Sequence, residues 1–283
     1  MQIRTDLAME AKALWENSAG RTTKLRGVAA RERVRNGVPV TTVEILDRHG
    51  EETLGKPTGR YVTLELPRHL RDVRRLAAAV AAELKELLIL RPKDSVMVVG
   101  LGNPAVTPDA IGPKCVEGLF LTRHLIEHLP AQFGMCRPVS ALTPGVLATT
   151  GIESAEIVRG AVARVRPSCI LAIDALAAGA PERLCSTIQM SDSGIVPGSG
   201  VGNSRAAFTQ KTLGVPVYCI GVPTVVDAAV LSHRSGGAED KMIVTPRDID
   251  AQLRFLAAVV SGGINLALHP KLSYEDFAQF VPI

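Results

Sequence analysis

Apolar and polar positions follow two rhythms along this chain, with the change near residue 92. Before it, helical and alternating spacings are mixed. Thr5 can cap a helix over 5–19, in which Leu7, Ala11, Leu14 and Trp15 recur at helical intervals until Gly20 stops it. Val38 to Leu46 and Gly59 to Leu66 alternate in part, with a turn at His49-Gly50 between them, which predicts antiparallel pairing. Residues 68–91 put Leu70, Val73, Leu76, Val80, Leu84 and Leu87 on one face, the pattern of one long amphipathic helix.

From residue 95 the rhythm becomes strand, turn, helix. Val96 to Val99 is an unbroken apolar run, as in a buried parallel strand. A helix is expected after Pro113, carrying Leu119, Leu121, Leu125 and Ile126. Strands are expected at 139–142, 169–173, 186–190 and 215–220, with a helix over 151–166. Thr245-Pro246 with Asp248 signals the start of another helix, and 273–280 a short terminal one. Alternation of this kind predicts an α/β fold: a mostly parallel twisted sheet with helices on both faces, plus antiparallel strands from the N-terminal region. Residues 1–283 read as a single domain, with 21–66 as its β-rich N-terminal portion.

Composition narrows the class. Hydrophobic residues make up 46% of the chain, which excludes disorder, and the net charge of +4 is too small to argue for nucleic acid. The five cysteines lack CxxC spacing and lie partly in apolar runs, which reads as buried reduced thiols and a cytoplasmic setting. No signal peptide and no unbroken apolar run of about 18 residues is seen, so no membrane is expected.

Several familiar chemistries find no support. Gly100-Leu-Gly-Asn103 lacks the third glycine of a dinucleotide turn, since position 105 is Ala. The glycine-rich loop Ser193 to Asn203 lacks a Gly-Lys-Ser/Thr ending. No serine sits in a G-x-S-x-G elbow. Cys115 and His124 are nine residues apart, poorly placed to touch on a helix. The six histidines include one HxxxH pair, His124 and His128, but no HxH pair and no assigned third ligand, so no metal site is expected.

Two carboxylates remain. Asp109 ends a loop stiffened by Pro104 and Pro108 at the carboxyl end of the 96–99 strand, and Asp174 ends the apolar run that starts at Cys169. If both runs are parallel strands, the two aspartates project from one sheet edge, where open α/β sheets do chemistry. Carboxylates so placed can share a proton, one acting as base and one as acid. An Asp at a strand end is also a common turn or cap residue, so spacing leaves both roles open. Asn103, Gly198, Ser199 and Gly200 are candidate substrate contacts, and the backbone of Gly198 to Gly202 a candidate set of oxyanion donors.

The stretches Ile3-Arg-Thr-Asp-Leu-Ala, Gly59-Arg-Tyr-Val-Thr-Leu, Val99-Gly-Leu-Gly-Asn, Thr107-Pro-Asp-Ala-Ile-Gly-Pro, Ala172-Ile-Asp-Ala-Leu, Thr187-Ile-Gln-Met-Ser-Asp-Ser-Gly, Pro197-Gly-Ser-Gly-Val-Gly-Asn and Gly221-Val-Pro-Thr-Val-Val-Asp-Ala occur in this order. Together they resemble the germination protease family of spore-forming bacteria, endopeptidases that degrade small acid-soluble spore proteins. The resemblance implies an atypical aspartic endopeptidase whose catalytic pair matches Asp109 and Asp174. It implies a zymogen that removes its own propeptide, here residues 1–6, by cutting between Asp6 and Leu7. Residues 1–6 can act as a plug, with Arg4 paired to a carboxylate in the cleft, or merely hold a neighbouring element in place, with Arg4 solvated. A homotetramer in the spore-core cytoplasm is implied, acting on spore proteins free or DNA-bound, without cofactor, metal, membrane or direct nucleic-acid contact. One departure is the short segment Ala229 to Ile243, where family members carry a longer one.

A wider likeness reaches the hydrogenase-maturing endopeptidases. Asp109 falls on their acidic metal-binding position and Asp174 resembles their second carboxylate, but no histidine matches a third ligand. A metal-dependent peptidase of that fold and a non-catalytic binding protein are the rival readings.

Overall fold

The computed structural model describes residues 5–19, 25–202, 205–232 and 242–281. Arg4, Asn203 and most of the short 229–243 segment lie outside these residues. Nine strands form one sheet: β1 (Val28–Arg35), β2 (Val38–Ile45), β3 (Gly59–Glu65), β4 (Val96–Gly100), β5 (Val139–Leu142), β6 (Cys169–Ala178), β7 (Thr187–Ser191), β8 (Val217–Asp227) and β9 (Ile243–Val244). Their order is β1-β2-β3-β7-β8-β6-β4-β5, with β9 on the far end of β8. The strands β5, β4, β6 and β8 run parallel, and the β1, β2, β3, β7 wing and β9 pair antiparallel. The expected α/β class is thus observed, with the expected parallel strands at β5, β4, β6 and β8 and antiparallel ones from the N-terminal region. The antiparallel part reaches past the N-terminal strands, because β7 joins them to β8.

Strand alternation separates two cores. Val96 and Val98, Leu171 and Ile173, Ile188 and Met190, and Tyr218, Ile220 and Val222 face one side. There the helices Val73–Leu87 and Ile249–Leu268 pack on the sheet and on each other. Met97, Val99, Ile170, Ala172, Val217 and Cys219 face the other side, under the helix Ser154–Val165. By length and composition Ile249–Leu268 could cross a membrane, but most of it is buried in this core.

Several expected boundaries shift, each for a local reason. The first helix begins at Ala8 rather than Thr5. The Asp6 N–H donates to Ala177 O (3.0 Å), and Thr5 Oγ1 accepts from Leu7 N (3.0 Å), so this segment is drawn onto the sheet. The long helix is Val73–Leu87, started by Asp72 Oδ1 accepting from Arg75 N. The helix after Pro113 spans Ile111–Glu117 and stops early. Asn265 accepts from Phe120 N (2.9 Å) and donates to Gly118 O (3.0 Å), replacing helical bonds with side-chain ones. The helix expected from Thr245 starts at Ile249, and Thr245 Oγ1 instead donates to Thr224 O (2.8 Å). Finally, β6 does not stop at Asp174. Apolar partners in β8 carry the ladder on to Ala178, with a register shift between Leu176 and Ala177.

At the outer edge, β1 alternates charges rather than apolar residues. Arg33 and Arg35 reach over to Glu83 and Glu86 of the helix Val73–Leu87, and the Glu83 carboxylate is wholly buried beneath them. All five cysteines are free, four of them buried and Cys136 half-buried.

Candidate active site

The site forms where β4 ends and its neighbours continue. Gly100 pairs with Ile173, and Leu101 N–H donates to Ile173 O (2.8 Å) before the chain turns away. The next residue of β6, Asp174, therefore has no β4 neighbour on that side, although it is paired with Gly221 of β8 and is only 4% exposed. Its Oδ1 accepts from Ala175 N (2.9 Å).

The loop after β4 brings Asp109 back over this gap. Asn103 builds its first turn, its Oδ1 accepting from Ala105 N (3.0 Å), and a single 3-10 turn, Thr107–Asp109, ends it. Asn103 N–H donates to Asp109 Oδ2 (2.8 Å). Gly102 is needed here: its φ is +111°, and a Cβ would strike the Asp109 carbonyl.

Asp109 and Asp174 line one cavity of about 520 Å³. Asn103, Gly198 and Gly200 also line it, and so does Asp6. Burial raises the pKa of both aspartates. For Asp109 the Asn103 N–H partly opposes the rise. For Asp174 the effect is much larger, and the neighbouring charge of Asp109 adds to it. Asp174 thus holds a proton more readily, while Asp109 ionises first.

The N-terminal segment lies in the same cleft. Asp6 is gripped at three points. Its carboxylate accepts from Ala177 N (2.8 Å) and Ser199 Oγ (3.0 Å), its N–H donates to Ala177 O, and its carbonyl oxygen accepts from Lys56 Nζ (2.9 Å) and Gln189 Nε2 (3.0 Å). Gly200 makes room for this carboxylate, with which any Cβ there would collide. Leu7 and Ala8 are fully buried. Glu10 accepts from Gly179 N (2.7 Å) and from Thr5 Oγ1. Ser199 therefore contacts the chain's own Asp6. Sequence reasoning missed Lys56 and Gln189. Gln189 does leave a signal, a polar residue between Ile188 and Met190 in a buried strand.

Among the described residues no three His, Cys, Asp or Glu side chains are grouped to hold a metal ion. The Cys115 thiol is fully buried, which pushes its pKa up and argues against a thiol nucleophile.

Residues 6–235 match the family model for germination protease. The chain belongs to the germination protease family. It is 43% identical to the germination protease of Caldanaerobacter subterraneus subsp. tengcongensis, covering 99% of this chain and 98% of that protein. To the germination protease of Bacillus velezensis it is 48% identical, covering 98% and 96%. For that of Clostridium tetani the values are 38% identity, 99% and 100%. The first of these alignments runs over 322 positions, more than the 283 residues here, so that relative carries residues that face gaps in this chain. Germination proteases are peptidases, and the cleft just described has two carboxyl groups, one buried and one half-buried, that peptide hydrolysis can use.

Proposed function

We propose that this germination protease is an aspartic-type endopeptidase, built as a single domain, that cleaves small acid-soluble spore proteins with Asp109 and Asp174. The observation that carries this reading is the shared cavity of two carboxyl groups with unequal proton affinity. Asp109, the more readily ionised, takes a proton from water as it attacks the scissile carbonyl. Asp174, buried and biased toward its protonated form, gives a proton to the departing nitrogen. The position of Asp109, six residues after Asn103, beside Asp174 on the neighbouring strand, also supports fold kinship with the hydrogenase-maturing endopeptidases.

The same reading makes the full chain a zymogen that cuts itself between Asp6 and Leu7. Its support is the seating of Asp6 in the wall of the cavity that holds both aspartates. A homotetramer acting in the spore core completes the proposal, on the resemblance alone. The test is incubation of the purified protein with an acid-soluble spore protein, with and without chelator. Chelator-resistant cleavage that disappears in Asp109→Asn supports the aspartic reading. Cleavage abolished by chelator and restored by metal turns it toward a metallopeptidase, and no cleavage at all toward a binding protein.

A further inference from the structure

When water adds to a peptide carbonyl, negative charge develops on its oxygen, and donors already aimed at that oxygen lower the barrier. The glycine-rich loop is the candidate that sequence suggests, but its contact to the N-terminal segment goes to the Asp6 side chain, through Ser199. The oxygen of the Asp6–Leu7 bond is held elsewhere, by Lys56 Nζ at 2.9 Å and Gln189 Nε2 at 3.0 Å. Gln189 also accepts from Ala8 N at 2.7 Å through Oε1, so one amide grips both flanks of this bond.

The sheet register ties these donors to the aspartates. Gln189 of β7 is opposite Gly221 of β8, which is opposite Asp174 of β6. Residues directly opposite share a sheet face. Gln189 and Asp174 therefore flank a position without a side chain, on the face that carries the cleft. Lys56 follows the left-handed Gly55 and is half-buried. Both oxygens that its ammonium holds, those of Thr5 and Asp6, belong to residues 1–6. Loss of that segment takes both acceptors away and leaves a partly desolvated cation at the vacated Asp6 seat, which an incoming carbonyl would satisfy.

We propose that Lys56 and Gln189 are the oxyanion donors for cleavage of Asp6–Leu7, and that they serve the carbonyl before the cut bond of each later substrate. This rests on the self-processing reading. Asp109 accepts a proton from water while the water oxygen bonds to the Asp6 carbonyl carbon. The carbonyl π pair moves onto the oxygen between Nζ and Nε2. As that pair reforms the double bond, the carbon–nitrogen bond breaks and its electrons stay on the Leu7 nitrogen, which takes the proton from Asp174. Asp109 then returns its proton to Asp174, leaving an Asp6 carboxyl group and a Leu7 amine.

The test follows loss of residues 1–6 by intact mass in the full-length chain, with thermal midpoints as a check of folding. Lys56→Met removes one donor. Gln189→Glu removes the other but keeps the acceptor for Ala8. Each is expected to slow processing about 10²-fold or more, while Lys56→Arg, which keeps a cationic donor, stays within about tenfold of the wild type. On a peptide with the sequence of residues 1–15, the loss is expected in kcat with little change in KM. If Gln189→Glu does not fold, Gln189→Met takes its place. Folded variants that process at the wild-type rate, or that lose only KM, overturn the proposal alone. A wild-type chain that is never cut at Asp6–Leu7 overturns the self-processing reading, and this proposal with it.

Discussion

Asn103 N–H donates to Asp109 Oδ2 at 2.8 Å, whereas the one hydrogen bond to the Asp174 carboxyl among the described residues comes from Ala175 N, at 2.9 Å. One backbone donor each cannot equalise two groups of such different burial. The half-buried Asp109 remains the better proton acceptor and the buried Asp174 the better proton carrier.

Asp109→Asn and Asp174→Asn should each abolish peptide cleavage, because an amide cannot exchange the proton. Their stabilities should differ. Asp174 has a raised folded pKa, so it costs stability as pH rises from the ordinary value of 3.8 through the folded one. Asp174→Asn is therefore expected to melt at or above the wild-type temperature at neutral pH, with the gain shrinking in acid. Thermal midpoints across pH read this directly, and a folded variant with normal turnover would end the two-aspartate mechanism.

His269 sets a second pH dependence, remote from the site. It is 3% exposed, and Phe120 and Phe277 pack around it. Burial lowers its pKa from 6.5 to about 4. Its contribution is complete above pH 6.5 and is lost as pH falls toward 4, because the unfolded chain takes up the proton first. The loss amounts to roughly 3 kcal/mol. Urea titrations of the wild type at pH 7 and 4.5, compared with His269→Phe, should show a smaller pH effect in the variant. Equal pH effects would refute this.

Gly200→Ala tests the seat of the N-terminal segment. The new methyl group meets the Asp6 carboxylate and Ala177, so the segment must lift or the loop must yield. Hydrogen exchange over residues 5–10 should quicken, with exchange in β4 and β6 unchanged. Unchanged exchange over 5–10 would show that the loop yields instead.

Removing both Arg33 and Arg35 leaves the Glu83 carboxylate buried without a cation. The double change to alanine should cost about 3–5 kcal/mol in urea unfolding, the usual penalty for stranding a buried charge. A cost near that of an exposed ion pair, below about 1 kcal/mol, would mean that water reaches Glu83 once the arginines are gone.

The parallel strands were legible because burial on both faces demands unbroken apolar runs, as in Val96 to Val99 and Cys169 to Ile173. The pair Asp109 and Asp174 was legible because strand ends on one sheet edge converge. Where β6 ends was not, since Asp174 interrupts an apolar run that resumes with Ala175 and Leu176. The early end of the helix at Glu117 depends on Asn265, about 150 residues away in sequence, which no local pattern encodes. Lys56 and Gln189 were hidden for the same reason: each acts on Asp6 across the fold.

Asp6 is part of the wall of the cavity that holds the two aspartates, so a compound that extends to its seat meets a segment of the chain already there. A tethered occupant competes at an effective concentration in the millimolar range or above, whatever its intrinsic affinity. Inhibitors screened against the full-length chain would have to displace this internal competitor, and their Kd values would read weaker than the empty cleft deserves. A compound series ranked on the chain with residues 1–6 and one ranked on a chain lacking them should therefore differ by a common factor for compounds that reach the Asp6 seat, and not at all for those that bind elsewhere.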